Sequence, residues 1–344
     1  MIQVVRARAP LRLGLAGGGT DVSPFCDVHG GYVLNATIDR YAYAVIKTLK
    51  EPLVRFVSTD QQKTAEYNLG DNLILDGNLD LHKAVYNRII QTYNEGKPIG
   101  LELTTFCDAP VGSGLGASST LVVTMLRVFA ELLNLPLDDY TLALLAHNIE
   151  RIDCQLQGGR QDQYAATFGG FNFMEFYADD KAIINSLRIK NWIICELEAS
   201  LLLFYTGVSR ESAKIIADQS SNMKTGDASA IEAMHAMKRE AVTMKECILK
   251  GDFDGVVESM RQGWANKKRS AKTVSNSLID DIFESALQAG ARAGKISGAG
   301  GGGFMMLFVP PDKRMDVVRC LSQFDGTISN CHFTHTGTQS WRAS

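Results

Sequence analysis

Apolar side chains recur at helical spacing in two neighbouring stretches. Leu121, Met125, Phe129 and Leu132 share one face, and Leu142, Leu145, Ile149 and Ile152 share another, so two amphipathic helices are predicted. Ahead of them the pattern changes. In residues 1–60, short apolar runs such as YAYAVIKTL are punctuated by glycine, and LELTTFCDAP from Leu101 is a further such run; both predict strands joined by turns. Beyond about residue 181, IICELEASLLLFY predicts a strand, roughly 209–290 predicts long amphipathic helices, and FMMLFVP predicts a closing strand. That alternation is α/β in the broad sense, of the α+β kind.

The 344 residues exceed what one hydrophobic core organises. Two domains are expected, 1–180 and 181–344, with no linker composition to mark the division. The formal charge is −3 and the charged residues are interspersed, which leaves no broad basic face for a nucleic-acid backbone. The seven cysteines are odd in number and contain no CxxC pair, so neither a disulfide framework nor a structural zinc site is indicated. Reduced thiols suit the cytoplasm. MIQVVRARAPLRLG lacks the apolar run of a signal peptide, and the greasiest stretch, Trp192 to Tyr205, is interrupted by Glu196 and Glu198, so no membrane partner is expected.

Glycine changes this picture most. LGLAGGGTD ends at Asp21, PVGSGLGASST runs from Pro110 to Thr120, and KISGAGGGGF runs from Lys295 to Phe304. Glycine lets backbone N–H groups crowd an anion, because no Cβ blocks the approach and positive φ costs little. The second segment follows a predicted strand and opens a predicted helix, where free N–H groups and the positive dipole end attract phosphate. It lacks the lysine of a Walker A loop, while Ser118 or Ser119 offers a hydroxyl to a phosphate-bound magnesium. The bland alternative is a serine-capped helix start with glycines for tight packing.

Gly112, Gly114 and Ala117 also satisfy the loose G-x-G-x-x-G/A dinucleotide fingerprint, which makes an NAD-dependent oxidoreductase the competing reading. That fingerprint needs a strand after the helix ending in an acidic residue, whereas LDDYTLALLAHNIER reads as another helix. Gly298, Gly300 and Gly303 match again but precede a strand. A nucleotide-binding module without chemistry is the third reading.

Taken together and in this order, the three segments resemble the GHMP kinases, the superfamily of galactokinase, homoserine kinase, mevalonate kinase and phosphomevalonate kinase. APLRLGLAGGGTD resembles the family's first motif, PVGSGLGASST its phosphate loop and KISGAGGGGF its third motif, and the likeness covers nearly the whole chain. AGGGTD in place of galactokinase's GEHTD, followed by GGYVLNATIDRYAYA and RQDQYAA, is most similar to the branch acting on heptose 7-phosphate, with fucokinases as near relatives. The resemblance implies an N-terminal ribosomal-S5-like domain with a left-handed βαβ unit, a ferredoxin-like C-terminal domain, and ATP in the cleft between them. It implies Mg²⁺-assisted transfer from ATP to the anomeric hydroxyl of a small-molecule sugar or sugar phosphate, by a monomer or homodimer.

By the same resemblance, Pro110, Gly112, Ser113, Gly114, Leu115, Gly116, Ala117, Ser118 and Ser119 bind the nucleotide, and Ser118 or Ser119 with Glu150 holds the metal. Asp153, one turn onward, rivals Glu150. Asp162 in GGRQDQY is the expected general base and Arg12 the fixed cation beside the reacting groups. Gly18, Gly19, Thr20, Asp21, Gly300 and Gly301 would touch the sugar, although Thr20 and Asp21 also suit a capping role. A phosphate on the substrate calls for cations. The candidates are Arg160 and the run Lys267, Lys268, Arg269, Lys272, which reads equally as a solvated helix face. His332 and His335 beside Cys331 lack a fourth metal ligand, and His29 follows the first motif in a loop.

Overall fold

The structure, a computed structural model, describes residues 3–110, 112–207, 215–219, 221 and 227–343. The strands are β1 (Val4–Ala16), β2 (Gly31–Thr48), β3 (Leu53–Ser58), β4 (Lys63–Asn68), β5 (Leu101–Cys107), β6 (Phe171–Phe176), β7 (Ala182–Ser186), β8 (Leu201–Tyr205), β9 (Ala293–Ile296), β10 (Phe304–Phe308), β11 (Thr327–Asn330) and β12 (Gln339–Ala343).

The first sheet runs β12-β1-β2-β5-β3-β4, and β6 and β7 extend it from β2. Its long strand β2 forks, pairing with β6 through Gly31–Ala36 and with β5 through Ala42–Thr48. Strands β7 and β12 come from beyond residue 180, so the expected division is crossed twice. The second sheet, β11-β8-β10-β9, is antiparallel throughout, the strand order of a ferredoxin-like split β-α-β unit.

Helices α1 (Phe25–His29), α2 (Asp80–Tyr93), α3 (Ala117–Leu133), α4 (Asp139–Asn148) and α5 (Gln161–Phe168) accompany the first sheet. The second lobe contributes α6 (Asn191–Ser200), α7 (Ala228–Lys250), α8 (Phe253–Ser270), α9 (Ser277–Gln288) and α10 (Arg314–Leu321). Part of the helical stretch expected over 209–290 lies outside the described residues; the rest is helical as read.

Strand β1 explains how the lobes meet. Its alternate residues Val5, Ala7 and Ala9 enter the core beneath α2, α3 and α4 with Phe56, Val122 and Phe129. Leu11, Leu13 and Leu15, past an irregularity in pairing between Pro10 and Arg12, join a different core with Leu203, Met260 and Met306 of the second lobe. Burying the two halves of one strand in separate cores fixes Arg12, which alternates with Leu11 and Leu13, at the seam.

Two expectations change. Of IICELEASLLLFY, only Leu201–Tyr205 is strand, while Asn191–Ser200 is helix. Ile193, Ile194 and Leu197 fall on one helical face and are buried, with Trp192 and Cys195 exposed. The second periodic helix ends at Asn148 and continues as a π turn, Ile149–Asp153. The wider turn slips the phase, so Ile152 is 63% exposed while Glu150 is turned inward. Such π insertions often accompany functional sites.

Candidate active site

The amino end of α3 opens onto the seam. Gly112, Gly114 and Gly116 take φ of 77°, 81° and 78°, so the loop folds back on itself and Gly116 caps the helix without a side chain. The first helical bond runs from the Thr120 amide to the Gly116 carbonyl, which leaves the amides of Ala117, Ser118 and Ser119 free of partners inside the helix.

The third glycine segment braces this loop backbone to backbone. A Cβ on Gly114 would lie 2.3 Å from the Ser297 carbonyl, and one on Gly303 2.4 Å from the Ser113 carbonyl. The Phe304 amide donates to that same Ser113 oxygen at 2.8 Å. Gly112, Gly114, Gly116, Ala117, Ser118 and Ser119 line a cleft of about 560 Å³. Pro110, Ser113 and Leu115 do not: Pro110 is exposed, and Ser113 and Leu115 face inward, Leu115 into the core. The third segment lines the cleft through Gly298 and Ala299. Gly300 and Gly301 instead pack on Val274, whose carbonyl accepts from the Gly301 amide.

Arg12 ties the loop to α5. Its Nε donates to Asp162 Oδ1 at 2.7 Å, its Nη2 stands 2.6 Å from the same oxygen, and its Nη1 donates to the Gly114 carbonyl at 2.5 Å. Asp162 packs against the mouth of α3, since a Cβ on Gly116 would meet its Cγ at 3.1 Å. Arg12 and Asp162 both line the cleft, and the aspartate, 23% exposed against 4% for the arginine side chain, is the more open of the two.

Glu150 lines the same cleft and is 2% exposed. Its carboxylate accepts from the Gln163 amide, which also donates to Ser119 Oγ at 3.1 Å, and the Arg151 guanidinium stands 4.0 Å away. Burial raises its pKa above the usual carboxylate range, against the opposing pull of Arg151, Ser119 and Gln163. An ionised carboxylate so buried and so weakly compensated fits a cation that completes its shell with hydroxyl, water and phosphate oxygens, as Mg²⁺ does. Asp153 is directed elsewhere, paired bidentately with Arg88 at 2.5 and 2.9 Å.

Gly18, Gly19 and Asp21 line the cleft with Gln157, Gly159 and Gln219. Asp21 is heavily committed: its Oδ2 accepts from the amides of Arg160 (2.9 Å) and Gln161 (3.0 Å), and its Oδ1 from the Gly19 amide (3.0 Å) and the Gln161 side chain (3.3 Å). The aspartate thus caps α5, the helix that carries Asp162, and not the helix that follows it. Thr20 is wholly buried; its hydroxyl holds the carbonyls of Gly17 and Tyr32 and the Tyr32 amide, away from the cleft.

Arg160 points behind α5 to the Tyr177 carbonyl and to Asp27 and Asp180, so it is not a cleft cation. The basic run divides. Lys267 lines the cleft, whereas Lys268 and Arg269 turn out toward Asp280 and Asn266, and the side chain of Lys272 lies outside the described residues. Met260, Trp264 and Lys267 share one buried face of α8, a spacing that marks Lys267 as inward-facing. Gln161, Gln163, Arg151 and Gln219 also border the site or its carboxylates; Gln161 and Gln163 fall within RQDQYAA, whereas Gln219 has no local signature. His29 meets the rings of Phe25 and His235 at tilted and edge-on angles, with centroids 5.1 and 4.7 Å away, and His332 stands 3.5 Å from Glu198. Among the described residues no cluster of three or more His, Cys, Asp or Glu side chains is arranged to hold a metal.

The described cysteines are all unpaired, and among the described residues no helix is long and apolar enough to cross a membrane. The helix after the glycine loop leads into α4 rather than into a strand with a ribose-binding acid, which removes the basis of the dinucleotide reading.

Residues 80–170 match the model of the GHMP kinases N terminal domain, and residues 244–325 match GHMP kinases C terminal. The chain is 46% identical over 341 residues to D-glycero-alpha-D-manno-heptose 7-phosphate kinase of Campylobacter jejuni, covering 99% of this chain and 100% of that one. It superposes with a TM-score of 0.85 and 43% identity on the crystal structure of a D-glycero-D-manno-heptose 1-phosphate kinase from Bacteroides thetaiotaomicron, covering 99% of each. L-fucokinase/L-fucose-1-P guanylyltransferase of Bacteroides fragilis is more distant, 25% identical over 328 residues and matched over 34% of its length. The braced glycine loop at the mouth of α3, the carboxylates around it and these likenesses agree: the chain belongs to the GHMP kinase family, whose members are ATP-dependent kinases.

Proposed function

We propose that this chain transfers the γ-phosphoryl group of ATP to the anomeric hydroxyl of D-glycero-D-manno-heptose 7-phosphate, giving the 1,7-bisphosphate that precedes a GDP-activated heptose for surface polysaccharide. The substrate follows from the near full-length relative that bears this name. The chemistry rests on one observation: Asp162, paired with Arg12, stands against Gly116 at the mouth of α3.

The free amides of Ala117, Ser118 and Ser119, with the glycines ahead of them that line the cleft, would receive the phosphates, helped by the positive end of α3. Glu150, with the hydroxyl of Ser118 or Ser119, would hold magnesium, which when bound offsets phosphate charge. The sugar would lie toward Gly18, Gly19, Asp21 and Gln219. In the transfer, the anomeric oxygen bonds to the γ-phosphorus as the β–γ bridging P–O bond breaks, and the electron pair leaves on ADP. The acceptor proton passes to Asp162, whose Oδ2 is free of Arg12. Arg12 orients that carboxylate and faces the developing phosphoryl charge.

A reducing cytoplasmic location suits the free thiols. The two-lobe division near residue 180, with β7 and β12 returned to the first sheet, belongs to the same proposal. The test is ADP release with heptose 7-phosphate, fucose, galactose and mevalonate in turn. Turnover should favour heptose 7-phosphate by orders of magnitude and fall in Asp162→Ala and Ser118→Ala; preference for fucose would reassign the substrate.

A further inference from the structure

Lys267 is 4% exposed and lines the cleft. Among the described residues its ammonium has no carboxylate within salt-bridge distance, and its one hydrogen bond is to the Gly298 carbonyl. A buried ammonium left with one neutral acceptor is costly. Its position is specific. A Cβ on Gly298 would meet Gly114 Cα at 2.7 Å, and Arg12 Nη1 holds the Gly114 carbonyl from β1. The ammonium of one lobe is therefore anchored on the third glycine segment and the guanidinium of the other on the phosphate loop, where the two backbones touch.

We propose that Lys267 is a second fixed cation of the phosphoryl-transfer site, delivered by α8 to neutralise charge on the phosphoryl group in transit. This rests on the kinase reading above. Lys267 keeps its protons through the step; the bond made, the bond broken and the acceptor proton on Asp162 are as already described. Charged groups face it from every side: Arg12 of β1 and Lys295 of β9 repel it, Asp21 and Asp162 attract it, and Glu240 of α7 balances Lys295. Burial and Arg12 hold its pKa down at about 8, so the cation is lost within reach of an ordinary pH profile. The phosphate carried by the sugar, six carbons from the anomeric centre, is the competing claim on this cation, and the comparison of the two acceptors below separates them.

The test is steady-state kinetics of wild type, Lys267→Met and Lys267→Arg on heptose 7-phosphate and on the unphosphorylated heptose, from neutral to alkaline pH. Wild-type turnover alone judges the kinase reading; inertness toward every sugar overturns both. With turnover present, Lys267→Met should lose on the order of a hundredfold in kcat on both acceptors with KM nearly unchanged. Wild type should lose activity as pH rises through about 8, and Lys267→Arg should keep part of the activity without that loss, because guanidinium does not titrate there. Undiminished kcat in Lys267→Met, or a defect confined to KM for the phosphorylated acceptor, overturns the proposal. Should the methionine variant fold poorly, the flattened alkaline limb of Lys267→Arg still decides.

Discussion

Arg12 sets two nitrogens on a single oxygen of Asp162, at 2.7 and 2.6 Å, while its third holds the carbonyl of Gly114 at 2.5 Å. One side chain thereby registers the acceptor's carboxylate against the donor's loop, and it leaves the other carboxylate oxygen unclaimed by the arginine. Asp162→Asn should lower kcat by roughly two to four orders of magnitude with little change in KM for ATP. Arg12→Lys keeps the charge but not the fork, and its kcat should fall between the two. Initial rates of ADP release at varied ATP separate these parameters.

Asp21 acts from a distance through α5. Removing its carboxylate in Asp21→Ala strands the amides of Arg160 and Gln161, which it now accepts at 2.9 and 3.0 Å. A loss of about 1–3 kcal/mol in unfolding free energy is expected, with kcat falling because the same helix carries Asp162. Urea unfolding checks the first. Unchanged stability with a raised KM for sugar alone would make Asp21 a substrate ligand instead.

The bracing of the loop is testable at glycine. Gly298→Ala places a methyl 2.7 Å from Gly114 Cα at a φ of +78°, so the third segment must move off the loop. Calorimetry should show weakened nucleotide binding. Gly70→Ala, also at positive φ but with nothing within 4 Å, should cost only stability.

These residues differ in how far the sequence revealed them. The three glycine segments, Arg12, Glu150 and Asp162 carry local signatures, because a phosphate loop demands glycine at fixed positions and the chemistry demands particular side chains. Leu115 and Ser113 sit inside the loop motif yet turn inward, a consequence of the alternating positive φ that no motif encodes. Arg160 adjoins the site in sequence and leaves it in space, since successive helix residues point in different directions. The strand–helix confusion over Asn191–Ser200 arose because a short apolar run fits either period. The pairing of β12 with β1 joins residues more than three hundred apart, and nothing local reports it.

Glu150 is held against its desolvation. Its raised pKa destabilises the metal-free fold progressively as pH rises above the ordinary carboxylate range, because the folded state binds the proton more tightly than the unfolded chain does. Glu150→Gln should therefore melt at the same or higher temperature than wild type near neutral pH without magnesium. It should also lose most of the thermal stabilisation that Mg²⁺ with ADP confers on wild type. Differential scanning calorimetry with and without Mg²⁺ reads both effects.

Lys295 offers an opposite sign. Its ammonium is buried against the Leu15 carbonyl at 2.9 Å, and burial with Lys267 nearby pulls its pKa down to about 7. Between pH of about 7 and its unfolded value of 10.5 the unfolded chain binds the extra proton, so this group's contribution to stability rises with pH across that window. The Tm of wild type minus that of Lys295→Met should become less unfavourable from neutral to alkaline pH; a flat difference would mean that the lysine is not buried as described.

The central claim is tested most directly by ³¹P NMR of the products formed from ATP, Mg²⁺ and D-glycero-D-manno-heptose 7-phosphate. The expected result is a new sugar-phosphate resonance coupled to the anomeric proton, growing in step with ADP while the 7-phosphate signal persists. Phosphorylation at another hydroxyl, or ADP formed with no new phosphate ester, would contradict the placement of Asp162 and the loop around an anomeric acceptor.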